Sequence, residues 1–227
     1  MENFTIKPIG YIQTDFDEKF GIPRQSGRAP SLTARVIFNP EFRSEDALRG
    51  IEGFSHLWLL FDFSLAHKQG FTPLVRPPRL GGNKKVGVFA SRSPFRPNNI
   101  GLSSVRLIKV EKTEEFGHTL LVSGADLLNG TPIYDVKPYL PFTDCHTDAF
   151  GGYADGQKDY KLSVELCHEV YDLLPSDKVV ALKECLEDDP RPSYQDDGKE
   201  YGVTFAGVNV RFIVNNGTLT VLSAKKN

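Results

Sequence analysis

The sequence predicts a mainly β protein, with a barrel or sandwich core and a small α+β appendage at the C-terminal end. Short segments with strand character fill the first 140 residues, and Gly, Pro and Asn clusters separate them. The character changes after about residue 142, so we expect domains at residues 1–142 and 143–227. With 227 residues, 40% hydrophobic and 25% charged, the chain has the length and composition of a soluble globular protein.

Strand signals recur along the first half of the chain. Residues 5–14 alternate apolar and polar positions, and residues 55–65 are almost continuously apolar, as in a strand buried on both faces. A short helix is predicted over residues 44–49, with Ser44 as its N-cap and Gly50 at its end. The other predicted strands cover residues 34–38, 86–90, 103–110, 118–125 and 132–139.

The second half mixes helix and strand signals. The strongest helix signal covers residues 176–186, with Ser176 as the N-cap. An apolar side formed by Val180, Leu182 and Leu186 would pack on the core. The remaining predictions are a loop over residues 142–158 and strands over 161–166, 201–214 and 218–222, the last two joined by the turn Asn215-Asn216-Gly217.

Several classes of protein are disfavoured because their signals are missing. No apolar run approaches the roughly 20 residues of a membrane span, and the N-terminal residues do not resemble a signal peptide. We therefore expect a cytoplasmic protein that does not bind membranes. Cys145, Cys167 and Cys185 form no CxxC pair and the histidines form no HExxH pair, so no metal site is predicted. The glycine-rich nucleotide motifs and the GxSxG nucleophile motif are also missing.

Charge is unevenly distributed along a chain whose net charge is −2. Residues 71–110 contain eight basic residues and no Asp or Glu. This favours contact with an anion, although the bases could instead pair with acids elsewhere in the fold. Two loops of this stretch, residues 76–82 and 91–101, hold arginines on backbone stiffened by proline. They are either binding loops for phosphate or carboxylate, or ordinary rigid connections with solvated charges.

A pair of opposite charges follows in the strand predicted over residues 132–139. In a strand, Asp135 and Lys137 share one face. They are either a pair that handles a proton or an exposed ion pair worth under about 1 kcal/mol.

Seven segments, in order along nearly the whole chain, resemble the TsaA-like (YaeB, TrmO) family. They are PRQSG at 23–27, FSHLWLLF at 54–61, RPPRLGG at 76–82, VGVFASRSPFRPNNIGLS at 86–103, DLLNGTPIYDVKPYLP at 126–141, DPRPSY at 189–194 and the strand at 205–212. The resemblance implies a homodimeric, S-adenosylmethionine-dependent tRNA methyltransferase with a β-barrel core in place of a Rossmann sheet. It also implies a substrate: the exocyclic N6 of threonylcarbamoyl-adenosine, next to the anticodon in the anticodon stem-loop.

The resemblance further implies which residues bind the methyl donor. Asp126 would accept from ribose hydroxyls or favour the cationic donor, and Arg92 would hold the methionine carboxylate. Backbone groups at Ser64 and Ser123 would contact the adenine. The complete implied set is Gln25, Ser26, Gly27, Ser64, Leu65, Arg92, Leu102, Ser123, Gly124, Ala125 and Asp126.

Catalytic and RNA-binding residues are predicted from the chemistry of the reaction. The acylated nitrogen is a weak nucleophile, so Asp135 or Tyr139 is expected to take its proton while Lys137 orients the substrate. Phosphates are expected to contact the basic stretch through Arg76, Arg79, Lys84, Lys85 and Arg96.

The sequence departs from the usual family pattern at three loop positions and leaves two rival functions open. Asn99 and Ser26 stand where proline is common, and Asn129 stands where aspartate is usual, which affects loop geometry but no charged candidate. The rivals are a methyltransferase for a small molecule or a protein, and a non-catalytic module that binds the donor or RNA.

Overall fold

A computed structural model describes residues 4–77, 84–157, 160–191 and 197–227. Its strands are β1 Gly10–Gln13, β2 Thr33–Phe38, β3 His56–Asp62, β4 Leu74–Val75, β5 Val86–Gly87, β6 Ile100–Thr113, β7 Gly117–Ser123, β8 Thr131–Pro138, β9 Ser163–Glu165, β10 Glu200–Phe205, β11 Val208–Asn215 and β12 Thr218–Lys226. Its α-helices are α1 Pro141–Asp144, α2 His168–Leu173 and α3 Ser176–Glu187. None of the described helices is long and apolar enough to cross a membrane.

Six antiparallel strands of the first half close into a barrel in the order β1-β2-β7-β6-β3-β8, and β8 returns to pair with β1. Side chains alternate between the interior and the outside, as the period of a strand requires. Ile12, Val36, Leu57, Leu120 and Ile133 are fully buried in the interior. The mainly β prediction is confirmed, and of its two alternatives the core is a barrel.

The second half builds a separate four-stranded sheet with its own core. The strand order is β10-β11-β12-β9, in which β9 runs parallel to β12. Helices α2 and α3 lie against this sheet, and Leu182 and Leu186 pack with Phe205 and Phe212. The predicted small α+β appendage is therefore confirmed.

The chain between β1 and β2 crosses from one half to the other. Phe16, Ala29 and Leu32 are buried in the C-terminal core rather than in the barrel. The Phe16 ring packs edge-on to Phe205, with 5.2 Å between the ring centroids. Residues 14–32, the crossing segment, thus lie against the C-terminal half, and the chain returns to the barrel at β2.

Several predicted elements of the first 160 residues differ in the structure. The strand predicted at residues 5–14 is confined to Gly10–Gln13, and the strand predicted at 55–65 ends at Asp62, before a 3-10 helix over Ser64–Gln69. The helix at residues 44–49 is a 3-10 turn over Asp46–Leu48 without a side-chain cap, so Ser44 is not an N-cap. Only Val86–Gly87 of the strand at 86–90 is extended, and it pairs with β4 outside the barrel. The loop at 142–158 contains most of α1 and a 3-10 segment over Gly152–Gln157.

The C-terminal half also differs in detail from the prediction. Pro175 rather than Ser176 is the N-cap of α3, and Val180 is exposed while Val179 is buried. The strand at 201–214 is two strands, because the chain turns at Ala206 and Gly207, both of which have positive φ. The turn at Asn216-Gly217 is confirmed, with positive φ at both residues, as the favoured hairpin turn requires.

Candidate active site

Two loops approach each other closely at one end of the barrel. The amide of Gly27 donates to the carbonyl of Gly124 at 2.8 Å, and both glycines have positive φ. A Cβ on Gly124 would lie 3.2 Å from both N and Cα of Gly27. Since both neighbouring atoms belong to the backbone, glycine is needed at Gly124 for conformation and for space.

A third loop joins them through Arg92. Its Nη1 donates to Gln25 Oε1 at 2.6 Å, and the side chain of Arg92 is exposed. The guanidinium also lies close enough to Asp126 to favour the ionised form of that carboxyl. The loops that contain residues 25–27, 92 and 124–126, far apart in sequence, therefore meet at one place.

Asp126 is the charged group at the centre of this arrangement. Ser103 Oγ donates to its Oδ1 at 2.5 Å, and the backbone amide of Ser26 donates to the same carboxyl. Burial raises the pKa of Asp126 above its ordinary value, against the opposing effects of these donors and of Arg92. A carboxylate held in this way can accept hydrogen bonds from hydroxyl groups or stabilise a cationic ligand.

A pocket of about 260 Å³ opens beside Asp126. Ser64 and Leu65 line it, together with apolar side chains such as Ile22 and Leu127. Of the predicted donor-binding residues, only Ser64, Leu65 and Asp126 line this pocket; the Arg92 guanidinium and the glycine contact lie next to Asp126 rather than in the lining. The carboxylate, the exposed guanidinium and the close backbone contact together match a ligand with a cation, a carboxylate and a nucleoside. S-adenosylmethionine has these parts, so the residues present fit it.

The other donor-binding predictions fall in different environments. Ser123 and Ala125 are buried, at 8% and 1% exposure, so only their backbone groups can face a ligand. Leu102 is half-exposed on the outer surface of β6, where it pairs with Leu60 of β3. Leu102 does not line the pocket, although its neighbour Ser103 bonds to Asp126.

A buried carboxylate that the sequence analysis did not select also lines the pocket. Asp62 is 8% exposed, and its Oδ1 lies 2.7 Å from Nε2 of His67. The Tyr134 hydroxyl donates a hydrogen bond to the Asp62 carboxylate. Burial first, and then this neighbouring carboxylate, raise the pKa of Tyr134. The signal was available, because Asp62 is the acidic residue in an apolar run predicted to be buried, and buried charges are rare without partners.

The pair formed by Asp135 and Lys137 lies on the outer surface of β8. Lys137 Nζ is 2.8 Å from Asp135 Oδ2, and the two side chains are 62% and 43% exposed. An ion pair this exposed contributes at most about 1 kcal/mol to stability. Asp135 pairs with Leu60, whose other neighbour is Leu102, so Leu102 and Asp135 are two inter-strand spacings apart, about 10 Å.

Aromatic side chains flank this face where β8 ends. The Tyr139 ring lies 5.5 Å from Trp58 and 6.2 Å from His56, measured between ring centroids. Partial desolvation, followed by the charges of Cys145 and Asp144, raises the pKa of Tyr139. Its phenol is therefore protonated at neutral pH and can donate a hydrogen bond there.

The residues predicted to contact phosphates differ in whether their side chains are exposed or already bonded within the protein. Arg76, Lys84 and Lys85 are exposed, and Arg79 lies outside the described residues. Arg96 donates from Nη1 to the carbonyls of Ser91 and Val88, at 2.7 and 3.0 Å. Its guanidinium also lies over the Phe89 ring, 5.7 Å from the centroid. Arg96 thus stabilises its own loop and is less available to a phosphate than the exposed basic residues. Over the described ranges, no cluster of three His, Cys, Asp or Glu residues could hold a metal.

Comparison with known proteins extends over both halves of the chain. Residues 11–145 match the family model of the tRNA-methyltransferase O N-terminal domain, and residues 161–227 match that of the TrmO C-terminal domain. The chain is 40% identical to a tRNA (adenine(37)-N6)-methyltransferase of Escherichia coli, over 98% of each chain. It is 42% identical to RcsF, a putative S-adenosylmethionine-dependent methyltransferase of Pseudomonas aeruginosa, over 92% of this chain and 91% of the relative. The crystal structure of TrmO from Pseudomonas aeruginosa has a TM-score of 0.79 and 35% identity, over 99% of this chain and 100% of that one.

Proposed function

The chain belongs to the TrmO family of tRNA methyltransferases, and from this premise we propose that it transfers a methyl group from S-adenosylmethionine to N6 of an adenine in tRNA. The observation that carries the proposal is the closeness of two unlike sites. The pocket beside Asp126 is lined by Phe61 of β3, and the exposed polar face at Asp135 pairs with the preceding residue of that strand, Leu60. Methyl transfer requires both reactants to be aligned at one place, and alignment alone supplies about 7–11 kcal/mol.

The donor is held by three chemically distinct groups. Arg92 binds the methionine carboxylate, Asp126 faces the ribose or the positive charge, and the backbone of Ser64 and Ser123 contacts the adenine. When bound, S-adenosylmethionine supplies an electrophilic methyl group for in-line displacement. The glycine contact between residues 27 and 124 lets the two loops approach each other where a side chain on Gly124 would meet the backbone of Gly27.

The acceptor is N6 of the threonylcarbamoyl-adenosine next to the anticodon, where the carbamoyl group makes the nitrogen a weak nucleophile. As the bond from N6 to the methyl carbon forms and the bond from that carbon to sulfur breaks, which releases S-adenosylhomocysteine, the N6 proton would pass to the Asp135 carboxylate. Lys137, paired with Asp135, orients the threonyl carboxylate. Because the raised pKa of Tyr139 keeps its phenol protonated, we assign the proton-acceptor role to Asp135.

The RNA is held mainly through its phosphates by exposed basic side chains. Arg76, Lys84 and Lys85 are the described candidates, and Arg79 belongs to the same basic stretch of the sequence. The target base must leave its stack to reach the donor, at a cost of a few kcal/mol. We further propose a cytoplasmic homodimer whose chain divides into domains at residues 1–142 and 143–227.

The test is transfer of labelled methyl from S-adenosylmethionine to total tRNA, using tRNA with and without the threonylcarbamoyl group. Label only in the modified tRNA is the expected result. Label in neither, with donor binding intact by calorimetry, would favour a small-molecule or protein acceptor, or a binding module. Equal label in both would retain the enzyme class and overturn the proposed substrate.

A further inference from the structure

The loop over residues 23–28 is held by the C-terminal half of the chain. The backbone amide of Arg24 donates to Asp188 Oδ2 at 3.2 Å, and Arg28 Nε donates to Asp188 Oδ1 at 2.7 Å. Arg24 Nη2 also donates to the carbonyl of Arg191 at 2.5 Å. Asp188 is only 2% exposed, so water screens these contacts little. One buried carboxylate therefore ties down both ends of the loop.

The middle of the same loop faces the donor site. Its residues 25–27 make the contacts with Arg92, Asp126 and Gly124 described above. A shift of the loop would therefore move three donor-binding contacts together. None of the described residues beyond position 131 lines the pocket, whereas Pro23 of this loop does, so contacts from the C-terminal half to the loop can reach the pocket.

The position of Asp188 is unfavourable for the helix that precedes it. It is the C-cap of α3, where the negative end of the helix dipole disfavours a carboxylate. The next residue, Asp189, has a φ of 50°, which is uncommon for a residue other than glycine. Its carboxylate is held by Arg191 Nε at 3.0 Å and by the Tyr160 hydroxyl at 2.9 Å. A costly conformation of this kind persists where its surroundings over-determine it.

We infer that Asp188 is a positioning residue for donor binding, which fixes Arg24 and Arg28 so that the loop between them keeps its geometry. The inference rests on the proposed function, since it takes this loop to bind S-adenosylmethionine. The C-terminal half would therefore support donor binding, although none of its described residues lines the pocket.

The test compares Asp188→Asn with a matched variant on the same helix. Asp188→Asn keeps the shape of the side chain but removes its charge. It is expected to raise the Kd of S-adenosylmethionine, measured by calorimetry, about tenfold or more, as loss of charge-assisted bonds does. The KM for the donor should rise in parallel, while kcat at saturating donor stays near the wild-type value.

Glu184→Gln is the matched control. Glu184 accepts from the amide and the hydroxyl of Ser31, at 2.7 and 2.9 Å, on the same crossing segment but outside the loop. Both variants are expected to lower the Tm, but only Asp188→Asn should weaken donor binding. Equal weakening by the two variants, or donor binding by Asp188→Asn as tight as that of wild type, would overturn the inference.

Failure of the proposed function gives a different pattern. If the wild-type chain does not bind S-adenosylmethionine, the proposed function fails and the inference fails with it. If Asp188→Asn does not fold, Arg28→Gln removes one arm of the same contact from a partly exposed position. Arg28→Gln should raise the donor Kd in the same direction, and an unchanged Kd would overturn the inference.

Discussion

The proposed donor site and the proposed acceptor face lie on one barrel, but they are built in opposite ways. The proposed donor site combines a pocket beside a carboxylate with a raised pKa, a glycine pair in backbone contact and loops bonded to each other. The acceptor face is an exposed ion pair with aromatic side chains near it. Donor affinity should therefore depend on a few packed contacts, whereas RNA affinity should be spread over many exposed charges.

The largest effect is expected on the acceptor face, at the step of chemistry. Asp135→Asn removes the proposed proton acceptor and should lower the single-turnover rate about 100-fold or more, as loss of a general base does. Donor binding should not change. Asp172→Asn, an exposed carboxylate on α2, is the control and should turn over like wild type. Full turnover by Asp135→Asn would refute this assignment.

The next largest effect is expected at the glycine contact of the pocket. Gly124→Ala forces a Cβ against the backbone of Gly27, so the donor Kd should rise about tenfold or more, as a loss of roughly 1.4 kcal/mol would produce. Gly130→Ala is the matched control, because Gly130 has the same φ of 75° with open space around it. Each variant should lose about 1–2 kcal/mol of stability through the left-handed conformation. Equal donor affinities in the two variants would show that the glycine contact does not shape the pocket.

A smaller effect with a definite pH dependence is expected for Asp126→Asn. Because burial raises the pKa of Asp126, the folded protein binds this proton more tightly than the unfolded chain does. Wild-type stability should fall as pH rises from the ordinary aspartate pKa through the raised one, and the variant should lack this slope and have the higher Tm at neutral pH. Donor affinity should rise over the same pH range in wild type, since a cationic donor favours the carboxylate. In the variant it should be several-fold weaker and flat, as measured by calorimetry against pH. A wild-type affinity independent of pH would contradict this role.

The smallest effect per residue is expected when exposed lysines are removed, and it concerns the salt dependence of tRNA affinity. Removing Lys84 and Lys85 together should reduce the slope of log affinity for tRNA against log salt by about 1.4–1.8, the contribution of two phosphate contacts. Lys225 and Lys226, an exposed pair on β12, provide the control double alanine variant with an unchanged slope. A wild-type slope in the Lys84/Lys85 variant would remove these lysines from the RNA-binding surface.

The sequence predicted most barrel strands because their burial alternates with a period of two. Residues 118–125 and 132–139 correspond closely to Gly117–Ser123 and Thr131–Pro138. It did not predict the strand order of the barrel or the crossing segment. Phe16 and Leu32 have the same apolar character as barrel residues, but they are buried in the other core. Local pattern cannot distinguish these cases, because the choice of core is a tertiary property.

The candidate site was located by motif, and the structure adds how its parts are connected. Nothing in the spacing of PRQSG and DPRPSY indicates that Asp188, just before the second motif, bonds to Arg24 of the first. Asp62 was overlooked because a strand pattern does not reveal which polar residue in it has partners. The pattern likewise could not show that Arg96 is used by its own loop, since that depends on backbone carbonyls.

Identification of the methylated nucleoside tests the proposed reaction most directly. A synthetic anticodon stem-loop that contains threonylcarbamoyl-adenosine would be incubated with the chain and S-adenosylmethionine, digested to nucleosides and analysed by fragment mass spectrometry. The expected result is one added methyl group, retained on the adenine-containing fragment, as methylation at N6 requires. A methyl group on the threonyl part, on another nucleoside or on a stem-loop with unmodified adenosine would contradict it.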